Sequence, residues 1–182
     1  GKVVAITGTN GKTTTTTLVG QIMARHFAKV QVVGNIGIPY TSVVEDTTED
    51  TVVVAEISSF QLETIQTFAP KAAAILNITP DHLNRHHTME NYIAAKESIV
   101  KNQSKEDVCV LNYNDEVLRD FGKTLEQNVI YFSSTEVLEE GLYLDGNEIM
   151  WARNGSREAI ISVEELHILG AHNYENAMAA IA

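Results

Sequence analysis

The run Val3-Val4-Ala5-Ile6 is followed by Gly8-Thr9-Asn10-Gly11-Lys12-Thr13 and then by an amphipathic stretch. A short apolar strand, a glycine-rich loop and a helix, in that order, make a phosphate cradle. Glycines let backbone N–H groups close around phosphate oxygens, and the helix N-terminus adds positive potential. Lys12 brings a full charge, and the Thr13 hydroxyl suits Mg²⁺. A nucleoside triphosphate is the expected ligand. Ile6 stands where the eight-residue P-loop signature has its first glycine, so a short variant of that loop is implied. The competing interpretation is a glycine turn followed by a helix-capping Thr. The β-branched run Thr13 to Thr17 argues against it, being a poor helix former that needs another reason to be there.

The alternation that follows sets the architecture. Strands are expected near 2–7, 30–34, 51–57, 72–77, 107–111 and 128–132, with helices near 13–27, 60–67, 88–102 and 114–125. Thr51-Val52-Val53-Val54-Ala55 and Ala72-Ala73-Ala74-Ile75-Leu76 are apolar on both faces, as when helices cover a parallel sheet on both sides. The expected class is therefore α/β, a doubly wound, mostly parallel sheet. From 141 onward Asp145-Gly146 and Asn154-Gly155 signal two hairpin turns, predicting a small antiparallel meander at the sheet's edge.

Composition narrows the function classes. With 182 residues, 44% hydrophobic, and three prolines, the chain fits one folded domain. A net charge of −11 argues against nucleic acid, so nucleotide binding must be local. Cys109, alone in an apolar run, reads as a reduced core thiol, which fits a cytoplasmic setting and excludes a disulfide framework. No run approaches a membrane span, and no signal sequence opens the chain. The absence of an initiator Met, and a final stretch of helix formers with no stop signal, lead us to expect a piece of a longer protein.

In an open parallel sheet, ligands sit beyond the carboxyl ends of the strands. The residues there are Gly34-Asn35-Ile36-Gly37, Glu56-Ile57-Ser58-Ser59-Phe60-Gln61 and Asn77-Ile78-Thr79-Pro80-Asp81-His82. Glu56 ends a buried strand, where a carboxylate is costly unless paired or on a metal; near Lys12 and Thr13 it suits Mg²⁺, and otherwise it is a salt-bridged strand end. His82 is either a ligand at the site's edge or a surface imidazole like its neighbours His86 and His87. Lys96 falls inside the apolar stripe Met89, Tyr92, Ile93, Ile99 and Val100, and so faces inward. It either buries a neutral, reactive amine or snorkels its ammonium to water. In Gly170-Ala171-His172-Asn173-Tyr174-Glu175-Asn176, Asn173 and Asn176 lie one turn apart; such amides suit a purine edge, and Asn173 equally suits a helix cap.

Together these motifs resemble the ATP-dependent Mur ligases of peptidoglycan synthesis, over essentially the whole chain. They are GTNGKTT (Gly8 to Thr14), GNIGIP (Gly34 to Pro39), EISSFQLE (Glu56 to Glu63), DHLNR (Asp81 to Arg85), AAK (Ala94 to Lys96) and HNYEN (His172 to Asn176), in the family's order. The first is shared with folylpolyglutamate synthases; GNIGIP and SSFQLE point to the D-glutamate-adding branch. Asn84 departs from the Asp of many members. The resemblance implies that Gly8, Thr9, Asn10, Gly11, Lys12, Thr13 and Thr14 hold ATP, and that Asn173 and Asn176 contact its adenine. It implies two Mg²⁺ ions, one on Thr13 and Glu56, the other at His82 and at Lys96 carbamylated by CO₂. Lys12, Glu56, His82 and Lys96 would then be the catalytic set, and Asn35, Ser58 and Gln61 would line the muramoyl-peptide side. It further implies a monomeric central ATPase domain, flanked by an N-terminal UDP-binding and a C-terminal amino-acid-binding domain. The substrates would be UDP-N-acetylmuramoyl-L-alanine and D-glutamate, joined through an acyl phosphate, in the service of cell-wall building, cell shape and division.

Overall fold

The computed structural model describes residues 1–35, 37–168 and 170–182; Ile36, within the GNIGIP motif, lies outside the described residues. The opening strand β1 (Lys2–Thr7) leads through the glycine loop into helix α1 (Lys12–Ala24). Next come β2 (Val30–Gly34) and β3 (Val52–Glu56), then α2 (Ser59–Leu62), β4 (Ala72–Ile75), α3 (Leu83–His86) and α4 (Met89–Glu97). The chain continues through β5 (Val108–Asn112), α5 (Glu116–Gly122) and β6 (Asn128–Ser133), then the meander β7 (Gly141–Asp145), β8 (Glu148–Arg153) and β9 (Ser156–Ser162), and ends in α6 (Ala171–Ile181).

The strands form one sheet ordered β2-β3-β1-β4-β5-β6-β7-β8-β9. From β2 across to β7 neighbouring strands are parallel, and the two hairpins make the last pairings antiparallel. Chain order reverses direction around β1, which places the glycine loop at the switch point where such sheets open a crevice.

Side chains alternate along each strand, so the two faces build two cores. Ala5, Val53, Ala55 and Ile75 pack with Leu62, Tyr92, Ile99 and Leu118 under α2, α4 and α5. Ile6, Val54, Ala74 and Leu76 pack with Val19 of α1 and Met178 of α6. Burial on both faces is what the unbroken apolar strands require. Cys109 is a buried free thiol, and burial pushes its pKa up to about 12.

All four expected helices are shorter in the structure: 13–27 ends at Ala24 in α1, 114–125 is reduced to α5 at Glu116–Gly122, and the other two have a visible cause. The 60–67 helix is the single turn α2: Ser58 and Gln61 form a reciprocal capping box at its start. Thr64, Ile65 and Thr67 then crowd a continuing helix, and Pro70 bars the α conformation before it. The 88–102 helix is α-helical only to Glu97, beyond which 98–100 tighten into a 3-10 turn. There the Ser98 hydroxyl donates to the Ala95 carbonyl at 2.7 Å, a back-bond that competes with helix continuation. The short α3 carried no periodic signal.

Candidate functional site

The loop after β1 is shaped by its ends. Gly11 caps α1 in the left-handed region at φ 83, and a Cβ there would overlap the Asn176 side-chain oxygen. Among the described residues no side chain caps α1, whose N-cap is Gly11, which removes the helix-capping interpretation of Thr13. Instead the Thr13 hydroxyl donates to Glu56 Oε2 at 2.8 Å. Asn77, at the end of β4, stitches the loop to the sheet. Its backbone carbonyl accepts from Thr9 N–H at 2.9 Å, and its side chain accepts from Asn10 N–H at 2.8 Å and donates to Asn10 O at 3.2 Å. Lys12 folds over the loop, donating to the carbonyls of Gly8 (3.0 Å) and Thr9 (2.9 Å). The N–H groups of α1's first turn, which lack intrahelical partners, and this ammonium thus belong to the same loop, as anion binding requires.

Glu56 sits beside that loop because of register: it pairs with Ile6 of β1 and with Gly34 of β2. Gly34, at φ 122, lies so close to the Glu56 backbone that a Cβ would overlap it. Asn35, one residue on, donates to Glu56 Oε1 at 3.1 Å. The carboxylate is 2% exposed, and among the described residues no cation pairs with it. That rules out the salt-bridged strand end. A buried carboxylate with a hydroxyl on one oxygen and an amide on the other is incomplete without a cation. Mg²⁺ takes one or two carboxylate or hydroxyl oxygens and fills its remaining positions with phosphate and water, so Thr13 and Glu56 fit it. Among the described residues no three His, Cys, Asp or Glu side chains gather as a ready-made cage.

Lys96 is 2% exposed, so it does not snorkel. Its Nζ donates to the Gly8 carbonyl at 2.8 Å and lies 4.7 Å above the Tyr92 ring. Burial, with the Lys12 charge adding to it, lowers its pKa to about 7, and Asp81 acts weakly the other way. A large fraction is therefore free amine near neutrality.

His82 is half-exposed, in the left-handed region at φ 51, with Nε2 3.4 Å from Asp81 Oδ2. The turn carrying it is pinned from below by His86, which bonds Ser59 Oγ at 2.9 Å through Nε2 and Glu63 Oε1 at 3.2 Å through Nδ1. Burial holds His86 below the usual histidine range, with Arg85, His82 and Lys96 also lowering it and Glu63 opposing. Next to it, His87 at φ 69 closes a γ-turn, Thr88 N–H donating to His86 O at 2.9 Å, and Thr88 then caps α4.

Ser58 and Gln61 lie at the same end of the sheet but spend their polar atoms on each other, Gln61 Oε1 accepting from Ser58 N (2.9 Å) and Oγ (3.0 Å). Asn176 is buried against the loop: its Oδ1 accepts from Thr15 Oγ1 at 3.3 Å, and its Nδ2 donates to Asn173 Oδ1 at 3.3 Å. Asn173 is one turn inside α6, whose cap is Gly170, so it is not the helix cap. Beside these amides, Asn10, Gly11, Leu76, Phe132, His172 and Asn176 bound a cleft of about 430 Å³, wide enough for a purine next to the phosphate loop.

The structure therefore brings Lys12, Thr13, Glu56, Asn35, Lys96 and Asn176 around one loop, whereas the His82 ring lies against Asp81 and Phe60 and makes no contact with that loop among the described residues. Sequence reasoning missed Tyr92, taken as one more apolar residue of a stripe, although its hydroxyl lies 3.0 Å from Thr9 Oγ1.

A profile of the Mur ligase middle domain matches residues 6–182. The chain is 59% identical over 182 residues to the UDP-N-acetylmuramoylalanine--D-glutamate ligase of Lachnoclostridium phytofermentans and 56% to that of Lachnospira eligens, covering all of this chain and 40% of each relative. It thus spans about 40% of the length of the curated relatives it matches. Among solved structures, MurF ligase from Thermotoga maritima in complex with ADP superposes with a TM-score of 0.69 at 20% identity, over 100% of this chain and 44% of that one. A UDP-N-acetylmuramoyl-L-alanyl-D-glutamate--2,6-diaminopimelate ligase gives 0.73 at 23%, over 99% and 42%. At those identities the likeness establishes the fold. The profile match over nearly the whole chain carries the assignment: this chain belongs to the Mur ligase middle domain family.

Proposed function

We propose that this chain is the ATP-binding centre of an amide ligase that adds D-glutamate to UDP-N-acetylmuramoyl-L-alanine, with flanking N- and C-terminal domains holding the UDP group and the amino acid. One observation carries the reading: a buried carboxylate, Glu56, with no cation partner among the described residues, bonded to the Thr13 hydroxyl of the glycine loop. The names of the 59% and 56% identical relatives support the substrate pair, and the ADP of the Thermotoga neighbour supports the nucleotide.

In the reaction a substrate carboxylate oxygen bonds to the γ-phosphorus as the bond to ADP breaks. The D-glutamate amine then attacks the acyl carbon, phosphate leaves, and one proton is lost as the amide forms. Two anions must meet in the first step, so the chain's task is neutralisation and alignment. Lys12 and the α1 N-terminus would hold the triphosphate, and Thr13 and Glu56 would hold one Mg²⁺, with Asn35 fixing the Glu56 carboxylate. Bound there, Mg²⁺ supplies charge neutralisation and a template for in-line transfer. The Lys96 amine would add to CO₂, forming an N–C bond and losing a proton, and the resulting carbamate and His82 are the groups that would hold a second Mg²⁺. Asn173 and Asn176 face the adenine, and Ser58 and Gln61 face the muramoyl side. The protein acts as a monomer in the cytoplasm, where ATP is supplied.

The test is ADP release by the full-length protein. Turnover that needs both UDP-N-acetylmuramoyl-L-alanine and D-glutamate is expected. Release of ADP without the muramoyl acceptor, or ligation of another amino acid in preference, would overturn the reading.

A further inference from the structure

Helix α4 touches the phosphate loop at two consecutive residues. Tyr92 and Lys96, four apart and so on one face, reach Thr9 and Gly8. The Thr9 hydroxyl has three neighbours: it donates to the Thr79 carbonyl at 3.1 Å, Thr79 N–H donates back to it at 3.0 Å, and Tyr92 OH lies 3.0 Å away. A hydroxyl has one proton and two lone pairs. With its proton on Thr79 O, Thr9 Oγ1 accepts from both Thr79 N–H and the Tyr92 hydroxyl, and every group is satisfied. Tyr92 is 1% exposed, so its hydroxyl has no water to turn to. Its ring also lies beneath the Lys96 nitrogen and against the His86 ring at 5.1 Å.

Thr9 is thereby the junction of three motifs that are far apart in sequence: the phosphate loop, the 79–82 segment that carries His82, and the helix that carries Lys96. We infer that Tyr92 is a positioning residue for nucleotide binding, acting through the Thr9 hydroxyl to hold the loop in the shape that accepts a triphosphate. The inference rests on the ATP reading above, and it adds a residue whose hydroxyl no motif of the chain assigns. Without that hydroxyl, Thr9 Oγ1 loses one donor, and the loop gains freedom that nucleotide binding must then remove.

Tyr92→Phe removes one oxygen and keeps the ring packed, and two readouts test it. Amide hydrogen exchange needs no nucleotide. Thr9 and Asn10 should exchange on the order of tenfold faster in the variant, with Val53 and Val54 in the core unchanged. Calorimetric titration with Mg·ATP should show affinity about three- to tenfold weaker, the range for one hydrogen bond. Combined with Thr9→Val the losses should be non-additive, the double variant matching Thr9→Val alone. Unchanged exchange at Thr9 and Asn10, or additive losses in the double variant, overturns the inference. Should the parent chain not bind Mg·ATP, the proposed function fails, and the exchange measurement still decides the role of Tyr92.

Discussion

Lys96 donates from Nζ to the carbonyl of Gly8 at 2.8 Å, so an inward lysine of α4 and the first residue of the phosphate loop share a hydrogen bond across 88 positions of sequence. Lys12 donates to the same oxygen at 3.0 Å. Two amines on one carbonyl cannot both carry charge cheaply, and the buried one yields.

That relationship predicts a pH dependence. Lys96 has a folded pKa of about 7 against an ordinary 10.5. Between those values the unfolded chain holds more protons than the folded one, so stability rises with pH from about 7 to about 10, by at most about 1.4 kcal/mol per pH unit. Urea unfolding in CO₂-depleted buffer at pH 7, 8 and 9 should show this rise, and Lys96→Met should flatten it. Parallel curves for the two proteins would contradict the assignment.

The same free amine should react with CO₂. ¹³C-bicarbonate should give a carbamate carbon resonance in the parent chain that is absent from Lys96→Ala. A spectrum without that resonance at any bicarbonate level counts against the proposed second metal site.

Among the described residues Glu56 has no cation partner, so Glu56→Gln should relieve a buried charge while removing the proposed Mg²⁺ ligand. The unliganded variant should melt no lower than the parent, and Mg·ATP should bind about 10- to 100-fold more weakly. A large loss of unliganded stability with unchanged Mg·ATP affinity would make Glu56 a structural residue.

Gly34 runs at φ 122 against the Glu56 backbone. Gly34→Ala should therefore cost about 1–3 kcal/mol in urea unfolding and weaken metal-dependent binding together with it, because β2 can relieve the overlap only by moving away from Glu56. A neutral substitution would show that the close approach is not needed.

Much of this was legible in the residues. Strands such as 52–56, apolar on both faces, need a parallel sheet with two helical layers, and the order of strand, glycine loop and helix fixes the site at β1. Glu56 and Lys96 were conspicuous because a charge in an apolar pattern demands a reason. The length of α2 was not legible, since it turns on crowding by Thr64 and Ile65 ahead of Pro70. Neither were the left-handed His82 nor the γ-turn at His87, which the packing of His86 between Ser59 and Glu63 imposes from outside the segment. Tyr92 escaped because periodicity records its ring and not its hydroxyl, and the Asn10–Asn77 pairing escaped because local patterns say nothing of partners 67 residues apart.

On this account the loop from Gly8 to Thr14 binds Mg·ATP through Lys12. Isothermal titration of Mg·ATP into this chain and into Lys12→Ala tests it most directly: saturable one-site binding in the parent and its loss in the variant are predicted, whereas equal binding by both, or no heat from the parent, would contradict it.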